Sequence, residues 1–175
     1  MTFLLKFDDY VCIGDSITCE VDGFTVTARI SQDETPDAPD ERQDGFWPSL
    51  YKDDAGFIGS GNGFRDRFAT AQAKAERVMA AWKNDEWYYC GVILSVTIDG
   101  IELTDHAASL WGIEANYPDS DNAYLSEVAN ELLPEALEAA GITEDLIRVS
   151  VGLEDIKDIQ ADFATGLKAA SRASK

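Results

Sequence analysis

Histidine is almost missing from this sequence: His106 is the only one in 175 residues, and the cysteines number three, Cys12, Cys19 and Cys90. Three thiols with no CxxC pair and no histidine neighbours give no cluster with the spacing of a zinc site. Their odd number and scatter point to free thiols in a reducing compartment. Long apolar runs are missing too, and none approaches the ~20 residues that a membrane-spanning helix needs. The N-terminus, Met-Thr-Phe-Leu-Leu-Lys-Phe-Asp-Asp, is too short and too acidic for a secretory signal. The expectation is a cytoplasmic protein without membrane association. Basic residues are scarce: 14 Lys and Arg stand against 33 Asp and Glu, a formal net charge of −19. Such a surface repels nucleic acid and anionic lipid, favours solubility and attracts basic partners.

The remaining composition is that of a packed globular chain, with 45% hydrophobic and 10% aromatic residues. A chain of this length buries a core without a disulfide or metal staple. Phe3-Leu-Leu-Lys-Phe7 reads as a short strand. Ile17 to Val21 and Phe24 to Ile30 flank Asp22-Gly23, a strong hairpin signal, because glycine accepts the positive φ of such turns. In the second run Phe24, Val26, Ala28 and Ile30 share one face, and Thr25, Thr27 and Arg29 the other. Residues 32–63 read as a long loop, acidic and proline-broken at first and glycine-rich at its end. Residues 64–83 carry Phe64, Phe68, Ala71, Ala75, Val78 and Trp82 at helical spacing.

Trp87 to Ile98 reads as a central strand, apolar on both faces. Asp99-Gly100 turns it into Ile101-Glu-Leu103, and Ala107 to Ile113 reads as a further strand. A helix follows, with Ser120 or Asp121 as its N-cap, Leu125, Val128, Leu132 and Ala136 inward, and Gly141 as its stop. Pro134 predicts a kink or restart within it. Leu146 to Val151 reads as a strand and Glu154 to Ala170 as a helix with Ile156, Ile159, Phe163 and Leu167 on one stripe. Trp82 and Trp111 are expected in the core. The pattern predicts an α+β fold: an antiparallel sheet built from hairpins, with three helices packed mainly on one face. Residues 1–140 form the body, with the acidic loop at 32–63, and 141–175 form a strand–helix tail docked on it.

Few motifs carry chemistry. Ile13-Gly-Asp-Ser-Ile-Thr18 resembles the first block of the SGNH (GDSL-type) hydrolases, which implies Ser16 as nucleophile. A serine hydroxyl needs a base held by an acid. That family places them in an Asp-x-x-His block near the C-terminus, whereas His106 sits mid-chain directly after Asp105. Gly59-Ser-Gly-Asn-Gly63 precedes a helix but matches no phosphate-loop pattern and reads as a hinge. The acidic segment lacks the spacing and glycine of a calcium-binding hand. No metal, cofactor or catalytic residue is expected.

Ala140-Gly-Ile-Thr-Glu-Asp-Leu-Ile-Arg-Val-Ser-Val-Gly-Leu-Glu-Asp-Ile-Lys-Asp-Ile-Gln-Ala-Asp-Phe163 resembles the C-terminal end of the Cys/Met-metabolism enzymes that depend on pyridoxal phosphate (PLP). The likeness spans residues 140–170. It implies that Arg148 matches an arginine that binds the substrate carboxylate, a role suited to a planar guanidinium. The cofactor lysine and most of the large domain of that family have no counterpart, which implies a tail fragment without enzymatic activity. The body resembles uncharacterised small acidic proteins of plasmids and phages, through Ala81-Trp-Lys-Asn-Asp-Glu-Trp-Tyr-Tyr-Cys-Gly91 and His106-Ala-Ala-Ser-Leu-Trp-Gly-Ile-Glu114. That likeness, with the charge, leads to the expectation of a non-enzymatic binding protein that mimics nucleic acid and inhibits a host restriction or CRISPR protein. Its expected partner is a basic nucleic-acid-binding protein, with no direct contact to nucleic acid. The residues singled out are Asp33, Glu34, Asp37, Asp40, Glu41, Asp44, Asp53 and Asp54, with Trp47 as aromatic anchor. A small hydrolase using Ser16, or an accessory domain whose acidity serves solubility alone, are the alternatives.

Overall fold

A computed structural model of the protein describes residues 2–34, 36–142 and 156–173. The chain divides into two compact units, Met1–Ile142 and Thr143–Lys175. The first holds a four-stranded antiparallel sheet in the order β1 (Ser16–Val21), β2 (Phe24–Gln32), β3 (Tyr88–Ile98), β4 (Ile101–Ala115). Between β2 and β3 lie a short helix, α1 (Pro39–Arg42), and a long one, α2 (Phe64–Lys83). After β4 comes α3 (Ala123–Ala139), and the second unit contains α4 (Ile156–Ala173). The α+β architecture expected from the sequence is the one observed.

Turn chemistry explains both hairpins. Asp22 and Gly23 have φ of 50° and 80°, Asp99 and Gly100 of 50° and 77°. Two consecutive positive-φ residues make the turn whose twist matches the flanking strands. Val21 thereby pairs with Phe24, and Ile98 with Ile101. Phe24, Val26, Ala28 and Ile30 are buried as the alternation predicts. Cys90, Val92, Leu94 and Val96 of β3 join them in the main core, which Leu125, Ala129, Leu133 and Ala136 of α3 complete. Helix α3 ends as expected. Gly141 takes φ 75°, its N–H donates to the Glu138 carbonyl, and the Ile142 N–H donates to the Leu137 carbonyl. Ile142 and Leu137 both pack on the main core, the apolar contact that accompanies this stop.

Several expectations need correction. Phe3 to Phe7 is no strand, because its backbone is paired with side chains and not with a neighbouring strand. Phe3 N–H donates to Asn130 Oδ1 and Phe7 N–H to Ser126 Oγ, while both phenylalanines enter the core. Ile101 to Leu103 and Ala107 to Ile113 are one strand, since register shifts within the β3–β4 pairing absorb the irregular middle. Helix α3 runs through Pro134 without restarting. Its N-cap is Asn122, although Ser120 Oγ and Asp121 Oδ1 do accept from the N–H groups of Asn122 and Ala123. In α2 only the second half packs: Ala75, Val78, Met79 and Ala81 are buried, whereas Phe64 is 46% exposed. Trp111 is 45% exposed and lies across Gly91, where a Cβ would come within 2.5 Å of its ring. The tail helix is present as α4, but the predicted strand Leu146–Val151, Arg148 and the expected helix start at Glu154 lie outside the described residues.

A second, smaller cluster forms around Trp87, on the face of the sheet that Tyr89 shares. It gathers Val78 and Ala81 from α2, with Trp87 and Tyr89, and Phe46, Trp82 and Tyr117 pack on it. Cys90 points the opposite way, and burial pushes its thiol up to about 12, with Glu114 and Asp33 adding to the effect. A thiolate is the reactive form. An aromatic disulfide reagent should therefore titrate the exposed Cys12 promptly and Cys90 only after denaturant is added. Reaction of Cys90 at the rate of Cys12 would show that the sheet opens readily.

Candidate functional site

The acidic segment folds back on itself. Asp33 faces Arg42 at 3.6 Å, and the Arg42 guanidinium lies 4.3 Å from the centre of the Tyr89 ring. Gly112, at φ 76°, leaves room for it, since a Cβ there would come within 1.9 Å of Arg42 Nη2. Asp40 accepts a hydrogen bond from Trp47 Nε1 at 3.1 Å, and Asp54 accepts one from the Ser49 hydroxyl. Asp40, Asp44, Trp47, Asp53 and Asp54 line one open depression of about 430 Å³. Asp33 and Glu34 line another of about 350 Å³, with Trp82, Lys83, Asp85, Trp87 and Tyr89. Asp37 and Glu41 are exposed. The structure thus brings five of the nine singled-out residues together, and internal bonds already engage Asp33, Asp40 and Asp54. Among the described residues no group of three or more His, Cys, Asp or Glu is placed to hold a metal ion.

Among the described residues no histidine lies within reach of Ser16. It opens β1 at one edge of the sheet, and His106 lies in β4 at the opposite edge. Three strand spacings, ~14 Å, separate these edges. The surrounding turn has a structural role. Gly14 N–H donates to the Ile30 carbonyl, Ile30 N–H to the Asp15 carbonyl, and Cys12 N–H to the Asp15 carboxylate. The motif fastens the start of β1 to β2, and the hydrolase alternative falls with that geometry. Before α2, Arg67 reaches back to the carbonyls of Ile58 and Gly59, which ties down the glycine-rich segment.

A site that the sequence did not mark lies where β4 leads into α3. Glu114, Tyr117, Ser120 and Tyr124 line an open depression of about 200 Å³. Glu114 stands opposite Tyr89 in the β3–β4 pairing. Tyr117 leans edge-on against Trp87, with ring centres 5.0 Å apart. Burial, then the Glu114 carboxylate, raises the pKa of both Tyr117 and Tyr124, so both phenols stay protonated. The Tyr124 hydroxyl is buried and has no hydrogen-bond partner among the described residues. Such a group costs about 1–3 kcal/mol. Glu114 makes no ion pair among the described residues, the nearby Arg42 being held by Asp33 and Tyr89. The signal for this site was thin: one carboxylate in an apolar strand end, then two tyrosines and a serine spread over ten residues.

Lysine placement matters for any carbonyl cofactor. Lys6, Lys52, Lys74, Lys83, Lys157 and Lys168 are all exposed. Among the described residues no helix is long and apolar enough to cross a membrane.

The family model for Cys/Met metabolism PLP-dependent enzymes matches residues 88–168, a little under half of the chain. The span takes in β3, β4, α3 and most of α4, and so starts well upstream of the 140–170 stretch that carried the resemblance. Cystathionine gamma-synthase of Escherichia coli is 39% identical over 75 residues, which is 43% of this chain and 18% of that enzyme. O-succinylhomoserine sulfhydrylase of Pseudomonas aeruginosa is 58% identical over 38 residues, 22% of this chain and 9% of the enzyme. L-methionine gamma-lyase of Fusobacterium nucleatum subsp. polymorphum is 59% identical over 34 residues, 19% of this chain and 9% of the enzyme. No solved structure matches the chain. These matches overturn the expectation of a phage or plasmid nucleic-acid mimic directed at a restriction or CRISPR protein. Net charge is a property of the whole surface and does not specify a partner. The chain spans less than a fifth of the length of the curated relatives it matches, and over residues 88–168 it is similar to the PLP-dependent enzymes of Cys/Met metabolism.

Proposed function

We propose that these 175 residues act as an amino-acid-binding unit, related in part to the Cys/Met enzymes, that carries out no PLP chemistry by itself. One observation carries this reading: the matched span contains no lysine in a setting that suits the cofactor. A lysine that holds a carbonyl cofactor has its pKa depressed by burial or by neighbouring charge, so that the free amine forms. Every described lysine is instead exposed. Lys83 alone borders one of the depressions described above, and there it shares the walls with Asp33, Glu34 and Asp85. Three carboxylates repel a phosphate. The described residues therefore do not fit PLP.

What the resemblance offers instead is Arg148, whose guanidinium would take an amino-acid carboxylate by paired hydrogen bonds. The test is a titration of the purified chain with PLP, followed by desalting and a visible absorbance spectrum. Methionine and cystathionine are titrated calorimetrically in parallel. The expected result is no retained cofactor, no turnover, and amino-acid binding that Arg148→Ala abolishes. Retained cofactor together with breakdown of cystathionine would overturn the reading.

A further inference from the structure

We propose that Asn62 is a site of spontaneous covalent modification, where the chain converts to an aspartate or isoaspartate form without an enzyme. Of the five asparagines in the sequence, Asn62 alone precedes a glycine. The Gly63 backbone nitrogen reaches the Asn62 side-chain carbon, Cγ, by closing a five-membered ring. A Cβ at position 63 would shield that nitrogen and restrict the backbone, and glycine does neither. The structure leaves the pair free to react. Asn62 and Gly63 are both exposed. Among the described residues neither the Asn62 side chain nor the Gly63 N–H makes a hydrogen bond. The other asparagines are held. Asn84 Nδ2 donates to Glu86, Asn130 Nδ2 donates to the Ser126 carbonyl, and Asn116 and Asn122 bind each other.

Space around the pair is open as well. A Cβ at Gly59 or Gly63 would meet nothing within 4 Å, and one at Gly61 only the end of the Arg67 side chain, at 3.6 Å. The backbone can therefore turn into the attacking conformation without displacing a packed atom. Gly63 also caps the 20-residue α2, whose N-terminal end carries partial positive charge. That field favours loss of the Gly63 amide proton and the anion formed on attack. Hydroxide takes the proton, and the nitrogen bonds to Asn62 Cγ. The bond from Cγ to Nδ2 breaks, and Nδ2 leaves as ammonia with a proton from water, which returns the hydroxide. Water then opens the cyclic imide. Cleavage at Cγ gives aspartate, and cleavage at the Asn62 main-chain carbonyl gives isoaspartate, with the chain running through Cγ. Nothing is oxidised or reduced. Either product adds a negative charge ahead of α2. Isoaspartate also adds a backbone carbon just before the bond from the Arg67 N–H to the Gly63 carbonyl, which opens the helix.

The experiment incubates the full chain in warm, mildly alkaline buffer and follows the tryptic peptide 53–65 by mass spectrometry. That peptide holds Asn62 and no other asparagine or glutamine. Two products, each heavier by one mass unit, should accumulate, and protein isoaspartyl methyltransferase should methylate one of them. The rate should rise in proportion to hydroxide concentration. Peptides with Asn84, Asn116, Asn122 or Asn130 should stay unchanged over the same interval. Gly63→Ala should slow conversion about tenfold or more. Alanine is strained at the φ of 66° there, so Asn62→Gln supplies a second check. It keeps Gly63 but needs a six-membered ring, and its peptide should hold its mass. The proposal is overturned if the folded chain keeps Asn62 intact while a synthetic 53–65 peptide converts in the same buffer. Conversion of Asn62 no faster than that of Asn84, or unchanged by Gly63→Ala, overturns it equally.

Discussion

Replacing Asn122 by alanine should destabilise the first unit by about 3–5 kcal/mol. Asn122 is fully buried, and its side chain makes three hydrogen bonds among the described residues. Its Nδ2 donates to the Asp9 carbonyl and to Asn116 Oδ1, each at 2.9 Å. Its Oδ1 accepts from the Asn116 N–H at 2.9 Å. Asn116 in turn donates to the Val11 carbonyl and accepts from the Val11 N–H. Truncation leaves several of these groups buried without partners, at about 1–3 kcal/mol each. Asn122 also has φ 56°, where asparagine is tolerated and alanine costs about 1 kcal/mol more. Denaturant unfolding measures the total. Asn122→Gly separates the two causes, since it loses the same bonds but not the backbone preference, and should cost about 1 kcal/mol less than alanine. A loss below about 1 kcal/mol for alanine would mean that water replaces the amide.

Trp87→Ala should cost a similar amount, about 3–5 kcal/mol, for a different reason. Trp87 is 1% exposed, and its Nε1 donates to the Val78 carbonyl at 2.9 Å. Its ring meets Tyr89 and Tyr117 edge-on, with centres 5.2 and 5.0 Å apart. Alanine removes the centre of the second cluster and leaves a cavity between α2 and the sheet. Trp87→Phe keeps an aromatic ring but gives up the bond to Val78, so its cost should be nearer 1–2 kcal/mol, about that of one hydrogen bond and some volume. Hydrogen exchange should rise in the last turns of α2 for the alanine variant. Protection left unchanged there would show that α2 is held by contacts other than Trp87.

Much of the fold was legible because its signals are local. Two Asp-Gly pairs fix both hairpins, and the alternation in β2 names its buried face without help from distant residues. Gly141 stops α3 as it should. The misreadings share a cause, which is competition from groups far along the chain. Phe3 to Phe7 has strand-like composition, but asparagine and serine side chains of α3 take its N–H groups. The apolar stripe of α2 is correctly periodic, yet only its second half meets a partner, so Phe64 remains exposed. The Gly-Asp-Ser motif matched a nucleophile block by its letters, and its place at the edge opposite His106 could not be read before the strand order was known. The Glu114 depression was hidden because its residues belong to a strand end, a turn and a helix start, and carry no spacing of their own.

The N-terminal segment has a consequence for the order in which the protein assembles. Phe3, Phe7 and Val11 are secured by Asn130, Ser126 and Asn116, across sequence separations of 127, 119 and 105 residues. Residues 3–11 therefore wait for nearly the last of this unit to be synthesised. At about 5–20 residues per second, that delay lasts several seconds or more. Throughout it two phenylalanines and a valine have no core to enter. The β1–β2 hairpin can close early because its partners are adjacent, whereas the segment before it can lock only once α3 has emerged and docked. Acidic residues flank these apolar side chains at Asp8 and Asp9, and their mutual repulsion between nascent chains opposes association during the wait.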